Sequence, residues 1–253
     1  MRLVDIHAHL TFKSFKKDLD TVIKKAKDAG LIAIIDSGID PEDFQKALDI
    51  SKKYKNFVFV SLGAAPQTID HKQLYKTIEL IHQYIDKIVA IGEIGLDYYW
   101  VRDVDKRIFT QKAFRELASI AVNYDKPIVI HNRDATRDVL RILNELNAEN
   151  VVFHSFMESV EVAREIIAKG WYISIPTILA RSDHHKSLVR RIDLDHIMLE
   201  TDSPFLSPWP RTRNEPSNVK ISAQVIAGIK NMSTERVAEI TTQNAVNFFK
   251  LNL

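Results

Sequence analysis

The sequence contains no cysteine among its 253 residues. This absence excludes disulfide bonds and thiolate metal sites, and it leaves open metal sites built from histidine and carboxylate side chains. The sequence also lacks a large excess of charge of either sign, because the net charge is only +2. The surface as a whole is therefore too weakly charged to capture nucleic acid, and a nucleic-acid substrate would have to be bound by local contacts.

Long hydrophobic runs are missing as well. No run approaches the length of a transmembrane span, and Asp5, His7 and His9 stand where a signal peptide would need an apolar core. We therefore expect a cytoplasmic protein with no membrane partner. No linker, repeat or low-complexity segment divides the chain, so we expect residues 1–253 to form one domain.

Apolar runs alternate with amphipathic helical segments along the whole chain. The expected strands are Leu3–His7, Leu31–Asp36, Phe57–Leu62, Ile88–Ile91, Pro127–Ile130, Val151–Phe153, Trp171–Ile175 and His196–Leu199. Eight strands joined to helices by short connections predict an α/β protein, specifically a (β/α)8 TIM barrel. A doubly wound open sheet is the alternative, but no glycine-rich phosphate-binding fingerprint follows the first strand.

The helix boundaries carry their own signals. An apolar stripe over residues 14–29 predicts a helix that stops at Gly30. Asp40 and Pro41 resemble a capping residue and a first-turn proline, so we expect a second helix to begin there. Asp134 is a candidate cap for the helix after the fifth strand.

Six side chains with metal-binding chemistry lie at or just beyond strand ends: His7, His9, Glu93, His131, His154 and Asp202. In parallel βα barrels the C-terminal strand ends meet at one mouth, so these side chains should converge there. A buried, unpaired carboxylate would normally take up a proton. Glu93, which follows an apolar run and lies between two glycines, is therefore neutral, paired with a cation or bound to metal.

Four imidazoles and two carboxylates are a suitable set for two divalent ions bridged by one carboxylate, about 3.5–4 Å apart. Mixed nitrogen and oxygen ligands suit Zn, Mn or Mg and do not distinguish among them. The other histidines lie on helices, in a loop or at a strand entrance, where we expect them to be solvated or locally hydrogen-bonded: His71, His82, His184, His185 and His196.

Several motifs resemble those of the TatD family of metal-dependent deoxyribonucleases, a branch of the amidohydrolase-like TIM barrels. They are Asp5-x-His7-x-His9, the run Gly92–Asp97, His131-x-Arg133, His154, the run Glu200–Leu206 and Arg213-Asn214-Glu215-Pro216. The resemblance extends in the right order from residue 3 to near the C-terminus. It implies an enzyme that cleaves DNA phosphodiester bonds with water activated by two metal ions.

The resemblance also implies a ligand set. One metal ion would bind His7, His9, Glu93 and Asp202, and the other would bind Glu93, His131 and His154. Glu93 would then replace the carbamylated lysine that bridges the metals in some relatives.

The catalytic candidates on this basis are Glu93, as the bridging ligand, and Asp202, which can also accept a proton as general base. Asp5 is expected to orient a ligating histidine. Arg133 would hold a phosphate oxygen or form a structural ion pair. Tyr98, followed by Tyr99 and Trp100, would stack on bases or pack at the top of its loop.

The sequence departs from the family pattern at two places. Ala65 stands where the family usually has the histidine of a His-Pro pair, and Ser155–Glu158 replaces the usual Cys and Ser-Gly motif. The first change leaves the metal ligands intact and alters the expected grip on phosphate. An esterase, lactonase or amidase, or a deacylase of charged tRNA, is therefore an alternative, as is a non-catalytic binding protein. The sequence is compatible with a monomer and does not determine the oligomeric state.

Overall fold

Eight parallel strands form a barrel in the computed structural model, which describes residues 1–253. They are β1 Leu3–Ala8, β2 Leu31–Gly38, β3 Val58–Leu62, β4 Ala90–Asp97, β5 Ile128–Arg133, β6 Val151–Phe153, β7 Tyr172–Pro176 and β8 Ile197–Glu200. Each pairs with the next in chain order. Beyond β8, the Asp202 N–H donates to the His7 carbonyl at 2.9 Å, which brings the last strand to the first. The TIM barrel is confirmed.

Nine α-helices surround the strands: α1 Leu19–Asp28, α2 Phe44–Lys53, α3 His71–Tyr84, α4 Val104–Asn123, α5 Thr136–Glu145, α6 Val160–Ile167, α7 Asp183–Arg191, α8 Val219–Lys230 and α9 Thr234–Phe248. Helix α3 shows how local sequence sets a boundary. The Asp70 carboxylate accepts the Gln73 N–H and the Gln73 side chain accepts the Asp70 N–H, which is a capping box. None of the helices combines the length and the apolar character needed to cross a bilayer.

The apolar core has two parts. The larger part lies between the strands and the helices. The smaller part takes side chains from alternate strand positions, such as Val4 with Ile6 and Ala33 with Ile35, and joins them to the C-terminal residues Phe248 and Phe249. Successive strand residues point to opposite faces, so this second part fills the barrel interior away from the C-terminal strand ends.

Three helix starts differ from the sequence-based expectations. Helix α1 begins at Leu19 and not near residue 14, because residues 13–15 form a separate 3-10 turn that buries Phe15. Helix α2 begins at Phe44, because the Asp40 carboxylate accepts the Glu42 N–H and closes a turn before the helix. Asp134 is not a cap. It adopts a left-handed backbone conformation, φ 54°, and α5 starts after it with Ala135 at the N-cap.

Strand β4 is longer than the sequence indicated. It continues through Glu93 to Asp97, with an irregularity in its pairing with β5 between Gly92 and Ile94. Glycine is required here by close packing of the strands. A Cβ at Gly63 would lie 2.3 Å from the Glu93 carbonyl oxygen, and one at Gly95 would lie 1.9 Å from the His131 carbonyl oxygen. The glycines thus let the neighbouring strands approach the backbone around Glu93.

Candidate metal centre

Glu93 lies at the centre of a cluster of histidines at the mouth of the barrel. Its Oε1 is 2.7 Å from His131 Nδ1 and 3.3 Å from His154 Nε2. Its Oε2 is 3.3 Å from His7 Nε2 and 3.9 Å from His9 Nε2. The two carboxylate oxygens therefore face different pairs of imidazoles, as a bridging carboxylate must.

Asp202 completes the cluster from the far end of the chain. Its Oδ1 is 3.3 Å from His9 Nε2 and 3.8 Å from His7 Nε2. The Asp202 side chain is 14% exposed, compared with 8% for Glu93. Asp202 also borders a cavity of about 500 Å³ together with His131, His154 and Arg133. A molecule in this cavity would meet the Asp202 carboxylate directly.

The electrostatics of the cluster favour a cation at its centre. Burial alone would raise the pKa of the Glu93 carboxyl, but the neighbouring imidazoles, His154 foremost, hold that pKa well below its usual range. Burial opposes protonation of His154, yet the carboxylates of Glu93 and Glu200 raise the pKa of His154 well above its ordinary value. The carboxylates thus require positive charge beside them, which protons or metal ions can supply.

Hydrogen bonds determine which imidazole nitrogens are available as ligands. His9 Nδ1 lies 3.0 Å from the Ser37 carbonyl oxygen, which can only accept, so Nδ1 carries the proton and Nε2 has the free lone pair. The same argument applies to His131, whose Nε2 lies 2.9 Å from the Asp97 carboxylate. His7 Nε2 is buried and has no hydrogen-bond partner. These three nitrogens face carboxylate oxygens, and either a proton or a metal ion can lie between each pair of atoms.

Three overlapping sets of side chains could each hold a metal ion. They are His7, His9 and Glu93; His7, His154 and Asp202; and Glu93, His131 and His154. All six candidate ligands from the sequence appear in these sets, and Glu93 belongs to two of them. The residues fit a pair of divalent ions in both donor type and geometry.

Asp5 contacts the expected ligand His7 through the backbone N–H and not through the imidazole. Its carboxylate accepts the Thr201 N–H at 2.9 Å, the Thr201 hydroxyl at 2.6 Å and the His7 N–H at 3.3 Å. Burial raises the pKa of Asp5 to about 8, against the opposing effect of these hydrogen bonds. Asp5 therefore joins the backbones of the first and last strands beneath the ligands.

Arg133 forms no salt bridge, so the structural ion pair considered from the sequence is absent. Its guanidinium carbon instead lies 3.8 Å from the centre of the Tyr99 ring, and the residue borders the cavity beside Asp202. Tyr99 and Trp100 are exposed. An unpaired guanidinium next to two exposed aromatic rings is available to a phosphate or a base.

Tyr98 packs against helices α4 and α5. Its hydroxyl donates to the Asp138 carboxylate at 2.7 Å and accepts from Gln111 at 2.6 Å. Arg107 lies over its ring, with 4.4 Å between the guanidinium carbon and the ring centre. These contacts support the packing alternative for Tyr98, and the aromatic residues free to meet a substrate are its two neighbours.

Sequence reasoning missed three polar residues around the ligands. Asp97 contacts His131, Glu200 lies 3.7 Å from His154 Nδ1, and the Gln67 amide lies 2.8 Å from Asp97 and 3.1 Å from His131 Nε2. Asp97 and Glu200 had a usable signal, since each is an acid at the end of an apolar strand. Gln67 had none, because it lies within the β3–α3 loop and does not end an apolar strand. Ala65 itself is buried and does not border the cavity.

A (β/α)8 barrel with histidines and carboxylates converging at its mouth is typical of metal-dependent hydrolases. Comparison with known proteins narrows the class. The family model described as TatD related DNase matches residues 4–250, and the chain belongs to the TatD family.

Individual relatives match over nearly their full lengths. Deoxyribonuclease TATDN3 of Homo sapiens is 37% identical, and the match covers 98% of this chain and 94% of that protein. The uncharacterized metal-dependent hydrolase YabD of Bacillus subtilis is 39% identical, with 99% and 100% covered. The crystal structure of a hydrolase TatD family protein from Entamoeba histolytica has a TM-score of 0.89 and 25% identity, and covers 99% of this chain and 98% of that one.

Proposed function

We propose that this protein is a TatD-type deoxyribonuclease that hydrolyses DNA phosphodiester bonds at a centre for two divalent ions. His7, His9 and Asp202 would hold one ion, His131 and His154 the other, and Glu93 would bridge them. When bound, ions of this kind supply Lewis acidity and generate a nucleophile from water near neutral pH. Mg, Mn and Zn all suit the nitrogen and oxygen donors.

Asp202 is the proton acceptor in this proposal. It is the more exposed of the two carboxylates in the cluster and borders the cavity, whereas both Glu93 oxygens face imidazoles. A general base must reach the proton that it removes, either directly or through one water. Of the two carboxylates among the ligands, only Asp202 borders the cavity.

The observation that favours a phosphodiester substrate is the unpaired Arg133 at the edge of the same cavity. Guanidinium groups bind phosphate oxygens in a fixed, often bidentate geometry. Arg133 would orient the phosphate beside Asp202, and the exposed rings of Tyr99 and Trp100 would stack on the adjacent base. The human relative, which is named as a deoxyribonuclease, supports the same substrate class.

The test is a cleavage assay with purified protein that is first stripped of metal and then supplied with Mn, Mg or Zn. Labelled DNA oligonucleotides and a panel of small esters, lactones and amides serve as substrates. We expect metal-dependent DNA cleavage, and we expect Arg133→Ala to raise KM for DNA with little change in metal content. Efficient hydrolysis of a small ester with no DNA cleavage under any metal would overturn the proposal.

A specific observation keeps the carbonyl substrates in this assay. Ala65 offers no side chain that could bind phosphate, and the side-chain contact from the β3–α3 loop to a ligand is made by the Gln67 amide, which lies 3.1 Å from His131 Nε2. An esterase, lactonase or amidase, or a deacylase of charged tRNA, would need less grip on phosphate. If Arg133→Ala left KM for DNA unchanged and ester turnover dominated, this second function would be favoured.

A further inference from the structure

The two metal positions of the proposed centre differ in the groups behind their histidines. His131 is backed by the Asp97 carboxylate, 2.9 Å from its Nε2, and His154 by the Glu200 carboxylate, 3.7 Å from its Nδ1. Both carboxylates are buried, with side chains 1% and 0% exposed. Behind the other position, His9 meets the neutral Ser37 carbonyl, and His7 Nδ1 has no partner.

Asp97 is held so that it must face His131. Its Oδ1 accepts the Trp100 N–H at 3.0 Å, and its Oδ2 accepts the Gln67 amide at 2.8 Å as well as meeting His131 Nε2. His131 Nε2 consequently carries a proton, which leaves Nδ1, 2.7 Å from Glu93, as the nitrogen that can bind a metal ion. Asp97 thereby selects the imidazole tautomer that can bind metal beside Glu93.

Glu200 is held in a similar way on the other side of the barrel. Its Oε2 accepts the Ser174 hydroxyl at 2.5 Å, which leaves Oε1 facing His154 Nδ1. Neither Glu200 Oε1 nor His154 Nδ1 has a hydrogen-bond partner at the distances observed. A small shift of the imidazole would join these two atoms and leave His154 Nε2 as the ligand.

The arrangement also balances charge between the two positions. Glu93 and Asp202 provide two carboxylates directly to the position formed with His7 and His9. The position formed with His131 and His154 has only one carboxylate ligand, the shared Glu93. The two backing carboxylates provide its additional negative charge from behind the imidazoles.

We propose that Asp97 and Glu200 are positioning residues that hold the metal ion at His131 and His154 and have little effect on the other ion. This inference rests on the two-metal centre of the proposed function. It adds that the two metal positions depend on different groups behind their ligands. Loss of a carboxylate behind a ligating histidine typically weakens metal binding by about 10–100-fold.

The decisive variant is Asp97→Asn. If its side-chain oxygen still accepts the Trp100 N–H, its amide group faces His131 Nε2 and offers protons there. His131 must then accept at Nε2 and carry its proton on Nδ1, the wrong atom for binding metal. We expect roughly 10–100-fold weaker binding of one ion, with the affinity for the other within about twofold of wild type. Glu200→Gln should weaken the same ion.

The measurement is a Mn²⁺ titration of the metal-free full chain, with free Mn²⁺ followed by its electron paramagnetic resonance signal. Asp138→Asn is the matched control. The Asp138 carboxylate contacts Tyr98, in the loop after β4, and it contacts no imidazole. In parallel, ¹⁵N shifts of the His131 imidazole in the metal-free protein should report a proton on Nε2 in wild type and none on Nε2 in Asp97→Asn.

Four results would overturn the inference. The first is unchanged affinity for both ions in Asp97→Asn and Glu200→Gln, and the second is equal weakening of both ions. The third is a similar loss in Asp138→Asn, and the fourth is a wild-type chain that binds only one ion. No DNA is present in this titration, so two ions bound with the expected asymmetry would support the inference even if the protein failed to cleave DNA.

Discussion

The replacement of Asp202 by asparagine separates two roles that the structure combines in one side chain. Asparagine keeps the shape and one oxygen that can bind metal, but it removes the charge and the ability to accept a proton. Asp202 Oδ1 lies within 4 Å of both His7 and His9, so the variant should bind metal more weakly at that position. The partial exposure of the side chain argues against a large cost in folding stability.

The expected kinetic loss follows from the proton-transfer role. Removal of a general base costs about 10²–10⁴-fold in rate, which corresponds to about 3–5 kcal/mol of the activation barrier. Because the loss arises from the missing base, a saturating concentration of metal should restore occupancy of the centre and leave the rate low. In the wild type the same metal concentration should change the rate little.

The assay measures DNA cleavage as a function of metal concentration, with bound metal and thermal unfolding recorded on the same samples. Full recovery of turnover at high metal would show that Asp202 is a ligand only. Near-wild-type activity without added metal would refute both roles. A large fall in the unfolding temperature would instead indicate that the Asp202 carboxylate is needed for barrel closure.

The other predictions concern metal content, pH and packing. Glu93→Ala should abolish activity and leave one bound ion or none by elemental analysis, while His184→Glu, at an exposed histidine, should keep the wild-type content; two tight ions in Glu93→Ala would exclude a bridge. Burial and the charge of His184 lower the pKa of His185 to about 4, so the unfolded chain binds the proton more readily. Stability should thus be full above pH 6.5 and fall by about 2 kcal/mol between pH 7 and pH 5, and urea midpoints that fall equally in His185→Gln would contradict this. Phe249→Ala, which removes a ring 2% exposed in the barrel interior, should cost about 3–5 kcal/mol in chemical denaturation, and a loss below 1 kcal/mol would show that this end of the barrel is loosely packed.

The barrel and the ligand candidates could be predicted because their signals are local. A strand buried on both faces appears as a short apolar run, and a polar side chain that ends such a run has few places to go except the barrel mouth. His7, His131 and His154 all follow this pattern. The predicted helix starts at residues 14 and 40 were wrong. The same residue types form turns and cap helices, and only the contacts that they make in the structure distinguish the two.

The roles of individual side chains around the ligands depended on partners far away in the chain. Tyr98 could be a base-stacking residue by sequence, yet its hydroxyl donates to Asp138 on helix α5. Asp5 could orient an imidazole by spacing, yet it meets Thr201 from the opposite end of the chain. No local pattern encodes these pairs, because each depends on how two distant elements pack.

By itself, the sequence determined the alternation of strands and helices and placed six possible metal ligands at the mouth, since burial and strand geometry act residue by residue. Only the tertiary structure decided which atoms face one another. Closure of the barrel puts Asp202 beside His7 and His9, and the packing of strands β4 and β5 sets Asp97 behind His131. The ligand atom of each imidazole follows from what its other nitrogen contacts, and that contact exists only once the barrel is closed.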